Sequence, residues 1–476
     1  MGIRKHLFIG GEWKEAKRYE PLRSPYSGET IAEIPLADIA ETDAAIEAAY
    51  AARGAMARMP AHQRAAILER LAALLDSRKD EAARLLALEA AKPMKYAVAE
   101  VARTVQTYKF AAEEAKRIHG ETIPLDAAPG GEGRIAYTVR EPIGVIGAIT
   151  PFNFPLNLVA HKVGPAIAAG NTIVLKPAAQ TPLSAYFIGE LLVEAGLPAG
   201  ALNIVPGSGS VVGNHIVEDD RVAMITFTGS PEVGIGIRSK AGLKKVTLEL
   251  GSNAALIVDR DVDIERIIPR CVMGAFSNQG QVCISLQRIY VHEDVYDCFV
   301  QQFASATSRL KLGDPLDDAT DISAMISGKE SGRALSWIEE AVAGGAKVAT
   351  GGAIQDGMLQ PTVMTDAASE LKVSCQEVFA PIVSINKIAD IHEAIQQVND
   401  SRYGLQAGIY TSNIHTALLA AEALHVGGVI INDIPTFRVD HMPYGGVKDS
   451  GTGREGVRYA VEEMTEMKLI VMNRMV

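Results

Sequence analysis

The sequence predicts an α/β protein with two parallel sheets, each in its own domain and covered by helices. From Arg134 onward, short apolar and β-branched runs alternate with helical stretches, a pattern typical of parallel sheets. The runs are continuously apolar, as expected for strands that are buried on both faces. The first series of candidate strands comprises Gly144 to Ile149, Thr172 to Leu175, Leu202 to Val205, Met224 to Thr228 and Val246 to Leu250. The second series comprises Ala255 to Val258, Ile289 to Val291, Val383 to Ile385 and Val429 to Ile431.

The segment before these strands, residues 39–119, is predicted to be helical. Ile67, Leu68, Leu71 and Leu75 recur at the spacing of one helix face. Between strands, Ala185 to Ala195 is also a helical stretch. We place a domain boundary near Gly251, where the first series ends.

Composition limits the possible classes of protein. The 476 residues exceed one ordinary core, and 48% hydrophobic with 22% charged residues indicates a soluble globular protein. The net charge of −11 gives no electrostatic reason to bind nucleic acid or an anionic membrane. The four cysteines are too sparse for a disulfide framework, and no signal-peptide or membrane-spanning pattern occurs. We expect a cytoplasmic protein.

A polar segment, Ser277 to Ser285, carries Cys283 just after Gly280. A cysteine at this place is predicted to be reachable by a small molecule, although an inert core thiol is the common alternative. Glu249, at the end of a predicted strand, is a candidate general base if burial raises its pKa. Asn153, after another strand, is a candidate amide donor to a developing oxyanion.

The sequence holds weak signals for a nucleotide cofactor. Gly229 to Gly234 follows a strand and is predicted to open a helix, whose N-terminus is suited to a phosphate. Neither this stretch nor Gly207 to Gly213 has a dinucleotide fingerprint or a P-loop, so a tight turn is the simpler interpretation of each. Lys176 lies at a strand end, where ligands of parallel sheets bind, and a solvated lysine is an equal alternative.

Seven motifs in this order resemble the aldehyde dehydrogenase superfamily over essentially the whole chain. They are Thr150-Pro-Phe-Asn-Phe-Pro155, Lys176-Pro-Ala, Phe227-Thr-Gly-Ser-Pro231, Glu249-Leu-Gly-Ser, Gly280-Gln-Val-Cys283, Glu377-Val-Phe-Ala-Pro381 and Pro443-Tyr-Gly-Gly-Val-Lys448. The run after Thr150 and the segment from Phe437 to Tyr444 look most similar to the lactaldehyde, sulfolactaldehyde and phosphonoacetaldehyde branches.

The resemblance implies two Rossmann-like domains and a NAD- or NADP-dependent oxidation of an aldehyde. Cys283 would attack the aldehyde, Asn153 and the Cys283 backbone N–H would hold the oxyanion, and Glu249 would activate water against the thioester. The cofactor-binding positions that the resemblance implies are Pro151, Phe152, Lys176, Ala179, Gly229, Ser230, Leu250, Glu377 and Phe379.

Two positions depart from the family pattern. Where many NAD-preferring members carry a glutamate, this chain has Ala179, which neither accepts from a 2′-hydroxyl nor repels a 2′-phosphate. We therefore predict that NADP is tolerated or preferred. Ser252 replaces a glycine, which is a mild change.

Arg438 and His441 precede Pro443, in the segment that lines the substrate entrance in this family. They are candidates to bind a sulfonate, phosphonate, phosphate or carboxylate, and structural or solvent-facing roles are equally open. The substrate class predicted first is a small hydroxylated or anionic aldehyde such as lactaldehyde. Sulfolactaldehyde, phosphonoacetaldehyde, succinate semialdehyde and glyceraldehyde 3-phosphate are alternatives. The histidines show no metal-ligand spacing, so no metal is predicted.

Other classes of function stay open. Glu249 argues against a version that passes the thioester to coenzyme A. A cysteine esterase or hydrolase would use Cys283 and Glu249 without a cofactor, and a third class is a cofactor-binding protein without turnover.

The resemblance also implies a domain plan and an assembly. Residues 1–117 and 141–250 would form the cofactor-binding domain, and residues 251–445 the catalytic domain. Residues 118–140 and 456–476 would join subunits into a homodimer or homotetramer. The apolar stretch Met467 to Met472 is predicted to be a strand, which would be a liability if left unpaired.

Overall fold

The computed structural model describes residues 3–474, so the ends of the predicted segments 1–117 and 456–476 lie outside the described residues. Four helices occupy most of residues 39–115. They are Ile39–Arg58, Ala61–Ser77, Lys79–Ala90 and Met94–Ala115. Asp38 and Glu41 form a reciprocal capping box that starts the first helix. Pro60 and Pro93 mark two of the breaks between the helices.

The first large sheet has eight strands, in the order Gly451–Thr452, Lys245–Glu249, Val222–Thr228, Val145–Ile149, Thr172–Lys176, Leu202–Ile204, Leu7–Ile9 and Glu12–Lys14. The five central strands are parallel, as the sequence predicts, and the outer ones are antiparallel. Its helices are Asn157–Ala169, Leu183–Glu194, Asn214–Glu218, Pro231–Lys240 and Val457–Glu463. The chain order reverses between Val145–Ile149 and Val222–Thr228, and ligands of such sheets bind at this switch point.

The second large sheet has seven strands, in the order Lys347–Thr350, Thr362–Thr365, Ile382–Ile388, Arg288–His292, Ala255–Val258, Gln406–Tyr410 and Gly428–Ile431. All pairs are parallel except the first. Its helices are Ile264–Phe276, Glu293–Thr307, Gly328–Ala343, Lys372–Cys375, Ile391–Asn399 and Ile414–Ala423. Separate apolar cores cover the two faces of each large sheet.

Three smaller sheets complete the fold. Thr465–Asn473 pairs antiparallel with Arg134–Pro142 along its whole length, and Thr122–Ile123 pairs with the other edge of that strand. Ile3–Arg4, Thr30–Pro35 and Tyr19–Arg23 form the second small sheet, and Ile354–Gln355 with Met358–Leu359 forms the third.

The segment after residue 445 returns to the first sheet instead of staying with the second. Gly451–Thr452 pairs with Lys245–Glu249, and Val457 and Val461 of the next helix pack into the core of the first sheet. This return brings Glu455 beside residues from the first sheet. Among residues 3–474, the structure has no helix that is long and apolar enough to cross a membrane.

Candidate active site

A cavity of about 900 Å³ lies at the carboxyl ends of the first sheet and extends to the Cys283 loop. Most of the residues predicted for the site line it together. They are Pro151, Phe152, Asn153, Lys176, Gly229, Ser230, Glu249, Leu250, Cys283, Glu377, Phe379 and Arg438. The strand-end residues singled out from the sequence therefore lie around one cavity, and their roles stay predictions.

The backbone before Cys283 is folded tightly. Asn278, Gln279 and Gly280 have φ values of 50°, 57° and 68°, so the chain turns sharply after the helix Ile264–Phe276. A Cβ at position 280 would lie 2.2 Å from the Ala380 carbonyl oxygen, and only glycine fits there. The turn presents the half-buried Cys283 side chain to the cavity.

Tyr444 is the hydrogen-bond partner of Cys283. Its hydroxyl lies 3.0 Å from Cys283 Sγ, and the Arg438 guanidinium lies 3.6 Å from the Tyr444 ring centroid. Burial raises the pKa of Cys283 to about 11, although the Tyr444 hydrogen bond and the Arg438 charge act in the opposite direction. Tyr444 could not be singled out from the sequence, because its contact Cys283 is 161 positions away along the chain.

Asn153 is buried in the loop that follows the strand Val145–Ile149. Its Nδ2 donates to the Gln281 carbonyl oxygen at 3.0 Å, which ties this loop to the Cys283 loop. An amide nitrogen carries two N–H groups, so a second donor is left for a ligand. Asn153 therefore stands next to the sulfur-bearing segment, as an oxyanion donor must.

A buried ion pair forms hydrogen bonds to the backbone of the Asn153 loop. Lys92 and Glu100 are fully buried and paired, and Lys92 Nζ also donates to the Asn153 carbonyl oxygen at 2.7 Å. Glu100 Oε1 accepts the backbone N–H groups of Leu156 and Asn157 at 3.0 and 3.1 Å. These bonds hold the middle of the loop and its C-terminal end, and sequence reasoning missed both charged residues.

Glu249 is buried at the end of its strand, and among the described residues neither carboxylate oxygen has a hydrogen-bond partner. Burial, followed by the charge of Glu455, raises the pKa of Glu249 well above its ordinary value. A Cβ at Gly445 would lie 3.1 Å from Glu249 Oε1, so the glycine keeps space beside the carboxyl group. A carboxylate in this setting is a strong proton acceptor that faces an open cavity.

The opposite part of the cavity fits a dinucleotide. Lys176 is buried at its strand end, where burial lowers its pKa to about 8. Within residues 3–474, its Nζ reaches only the Pro177 carbonyl oxygen, at 3.3 Å. Ser230 caps the helix Pro231–Lys240, whose N-terminus opens at the cavity. That arrangement suits a phosphate.

Glu377 lines the cavity on the side of the second large sheet. Its Oε1 accepts the Ser252 backbone N–H at 3.1 Å, and burial raises its pKa to about 8. A Cβ at Gly251 would lie 2.1 Å from Glu377 Oε2, so this glycine makes the approach possible. The Phe152 and Phe379 rings meet edge to face beside it, with centroids 5.8 Å apart.

The segment Gly207 to Gly213 belongs to the cavity, which its interpretation as a simple turn did not predict. Gly209–Gly213 forms one π-helical turn, and Gly209, Ser210 and Gly213 line the cavity. The glycine-rich composition was the available signal. The sequence lacked any fingerprint that tied it to a ligand.

The structure separates the two residues predicted for the substrate. Arg438 is buried and lines the cavity, and its Nη2 donates to His161 Nδ1 at 2.9 Å and to Glu455 Oε2 at 3.0 Å. Among the described residues, its buried Nε has no partner. His441 is exposed, with its ring centroid 4.7 Å from that of Phe110, and it is not part of the cavity wall. Ala179 is exposed between the cavity-lining Ala178 and Gln180.

Fold and site together define an α/β protein with a free cysteine in a nucleotide-sized cleft. The chain belongs to the aldehyde dehydrogenase family, whose sequence model matches residues 13–470. It is 47% identical over 468 residues to the 3-sulfolactaldehyde dehydrogenase of Priestia aryabhattai, with 98% of each chain covered. It is 41% identical over 471 residues to the lactaldehyde dehydrogenase of Methanococcus aeolicus, covering 98% of this chain and 100% of the relative.

Among solved structures, the glyceraldehyde-3-phosphate dehydrogenase GapN of Methanocaldococcus jannaschii, complexed with NADP, matches with a TM-score of 0.92 and 40% identity. The match covers 96% of this chain and 100% of that one. These findings confirm the predicted resemblance and fold class. The protein is therefore an oxidoreductase that acts on aldehydes.

Proposed function

We propose that the protein oxidises a small hydroxylated or anionic aldehyde, of the lactaldehyde type, to its carboxylic acid with NAD or NADP. The observation that carries this proposal is the juxtaposition of Cys283, Glu249 and Arg438 in one cavity. The first two supply a nucleophile and a base. The third offers a buried, unpartnered N–H among the described residues to a negatively charged or hydroxylated tail.

Cys283 begins the reaction by attacking the aldehyde carbon as a thiolate. The Tyr444 hydroxyl donates to the sulfur and stabilises its charged form. The new bond joins Sγ to carbon, and the free amide N–H of Asn153 and the Cys283 backbone N–H receive the oxyanion.

When bound, NAD or NADP would supply the acceptor for the hydride that the thiohemiacetal loses as it becomes a thioester. Lys176 and Glu377, which line the cavity, would hold its ribose hydroxyls, and Ser230 with the helix N-terminus that it caps would hold a phosphate. Glu249 then takes a proton from the water that attacks the thioester carbon. The acid leaves, and the sulfur recovers its proton.

The cofactor preference follows from position 179. Alanine there places no carboxylate against a 2′-phosphate, so NADP is tolerated or preferred. The NADP complex of the Methanocaldococcus relative is consistent with this proposal.

The substrate class follows from Arg438 and from the relatives. One of them is a dehydrogenase of a sulfonated aldehyde and another of lactaldehyde, which differ by an anionic group on a similar three-carbon frame. Arg438 favours the anionic member, because the unpartnered N–H of a buried guanidinium makes a charge-assisted hydrogen bond to a sulfonate or carboxylate.

The test is a kinetic panel with both cofactors over lactaldehyde, sulfolactaldehyde, succinate semialdehyde, phosphonoacetaldehyde and glyceraldehyde 3-phosphate. Cys283→Ser should abolish oxidation while cofactor binding persists, and Cys298→Ser, at an exposed position, is the matched control. Substantial turnover by Cys283→Ser would refute the nucleophile. Ester cleavage without any cofactor reduction would support the hydrolase alternative.

We also propose that the protein assembles as a homodimer or homotetramer through residues 118–140 and the C-terminal strand. Thr465–Asn473 is the edge strand of its sheet, and Met467, Leu469 and Val471 are exposed on it. An exposed apolar edge is expected to pair with another chain. Light scattering of Leu469→Lys should show smaller particles, and an unchanged mass would contradict the proposal.

A further inference from the structure

His161 connects the anion-binding side of the cavity with a buried group of charges. It lies on the helix Asn157–Ala169 with 3% of its side chain exposed. Its Nε2 is 2.8 Å from Asp440 Oδ1, and its Nδ1 is 2.9 Å from Arg438 Nη2 and 3.0 Å from Glu455 Oε2. A single ring nitrogen thus has a cation and an anion at hydrogen-bonding distance.

The contact with Asp440 requires a proton on Nε2 of His161. Although burial opposes it, the hydrogen bond from His161 and its charge when protonated, followed by the charge of Arg103, hold the pKa of Asp440 far below its usual range. Asp440 is therefore a carboxylate and can only accept. The proton on Nε2 is present in every state of the ring.

The two contacts of Nδ1 exclude each other. A guanidinium only donates, so its bond to Nδ1 requires a neutral imidazole with a lone pair at that atom. Although burial opposes it, the charge of Lys162 holds the pKa of Glu455 well below its usual range, so this group also only accepts. Its bond to Nδ1 requires a proton there. The Arg438 contact belongs to neutral His161 and the Glu455 contact to the imidazolium.

The charge around His161 decides which contact forms. Asp440, Glu455 and Arg438 touch the ring. Lys162 bonds Glu455 and Arg103 bonds Asp440, and Glu249 interacts with Glu455 through its charge. An anion bound to Arg438 neutralises the cation that opposes a second positive charge on His161. The proton can then take the place of the guanidinium at Nδ1.

We propose that His161 takes up a proton on Nδ1 when an anionic substrate binds at Arg438. The anion draws the Arg438 donors away from Nδ1, and the new N–H bonds Glu455. This coupling makes His161 a specificity-determining residue, because a neutral aldehyde gains nothing from it. The inference rests on the proposed anionic substrate class, and it assigns a role to a residue that does not touch the reacting carbon.

By linkage, an anion whose binding takes up a proton binds more weakly as pH rises, by up to about tenfold per pH unit. The test is titration calorimetry with isethionate, a small hydroxylated sulfonate that cannot itself take up a proton. Binding enthalpies in Tris and triethanolamine, which carry no competing anion, give the number of protons exchanged. Net uptake of up to one proton per chain is expected for the unaltered protein.

Matched variants separate the possible outcomes. His161→Gln keeps an acceptor and a donor but cannot titrate, so isethionate should bind without proton uptake, while the exposed His62→Gln should behave like the parent. Binding through Arg438 with no uptake, or uptake that persists in His161→Gln, overturns the coupling. Absent binding, or binding that survives in Arg438→Gln, overturns the anionic substrate class itself and the coupling with it.

Discussion

Replacing Tyr444 by phenylalanine removes the hydroxyl that lies 3.0 Å from Cys283 Sγ and leaves the ring in place. A hydrogen bond to a charged group contributes about 1.5 to 3 kcal/mol, which corresponds to a rise of about 1 to 2 units in the pKa of Cys283. Since that pKa is about 11, the thiolate fraction at pH 8 should fall about 10- to 100-fold.

The thiolate that remains is intrinsically more nucleophilic, with a Brønsted slope of about 0.4 to 0.5. The net expectation is therefore alkylation by iodoacetamide that is about 3- to 15-fold slower than in the unaltered protein. Tyr186→Phe is the control, because that buried hydroxyl has no partner among the described residues. An unchanged or faster rate for Tyr444→Phe would refute the role of the phenol.

Three further predictions concern the supports of the cavity. Lys92→Met leaves Glu100 buried without its cation, so the free energy of unfolding, measured in urea, should fall by about 3 to 5 kcal/mol. Adding Glu100→Gln to this variant should restore part of the lost stability. If a loss of that size does not appear, the pair does not hold the Asn153 loop. Because the pKa of Lys176 is about 8, its positive charge is lost as pH rises through 8. The affinity for NADPH, measured by fluorescence, should therefore fall over this pH range in the unaltered protein and stay level in Lys176→Met. A fall of equal size in the variant would exclude Lys176. In Ala179→Glu, the new carboxylate should repel the 2′-phosphate, so kcat/KM with NADP should fall at least tenfold. The value with NAD should change little. Equal effects with both cofactors would contradict the proposed preference.

Much of the fold was predictable because the central strands of both large sheets are continuous apolar runs. The nine candidate strands all exist, most with ends shifted by one or two residues, and the helical segment 39–119 contains four helices. The antiparallel additions were not predicted. Gly451–Thr452 reaches the first sheet only after the chain has built the second domain, and two residues carry no strand pattern of their own.

The site residues also fall into a predictable and an unpredictable group. Glu249 and Lys176 end strands, Asn153 follows a strand, and Cys283 follows a turn. The topology of a parallel sheet brings such positions to one edge. His161 lies inside a helix, and its partner Glu455 is 294 positions away, so a single sequence holds no signal of their contact. His441 shows the converse, since its place in a substrate-lining segment did not bring it to the cavity wall.

In the proposed reaction, Cys283 carries the acyl group during turnover. Glu249→Gln, mixed with NADP and a reactive aldehyde, should release one equivalent of reduced cofactor per active site rapidly and then turn over slowly. Intact-mass measurement of the quenched protein should show one acyl group per chain, mapped by peptide analysis to Cys283 and absent when the cofactor is omitted. Reduced cofactor without an acyl adduct, or an adduct on Cys271, Cys298 or Cys375, would contradict the proposed role of Cys283.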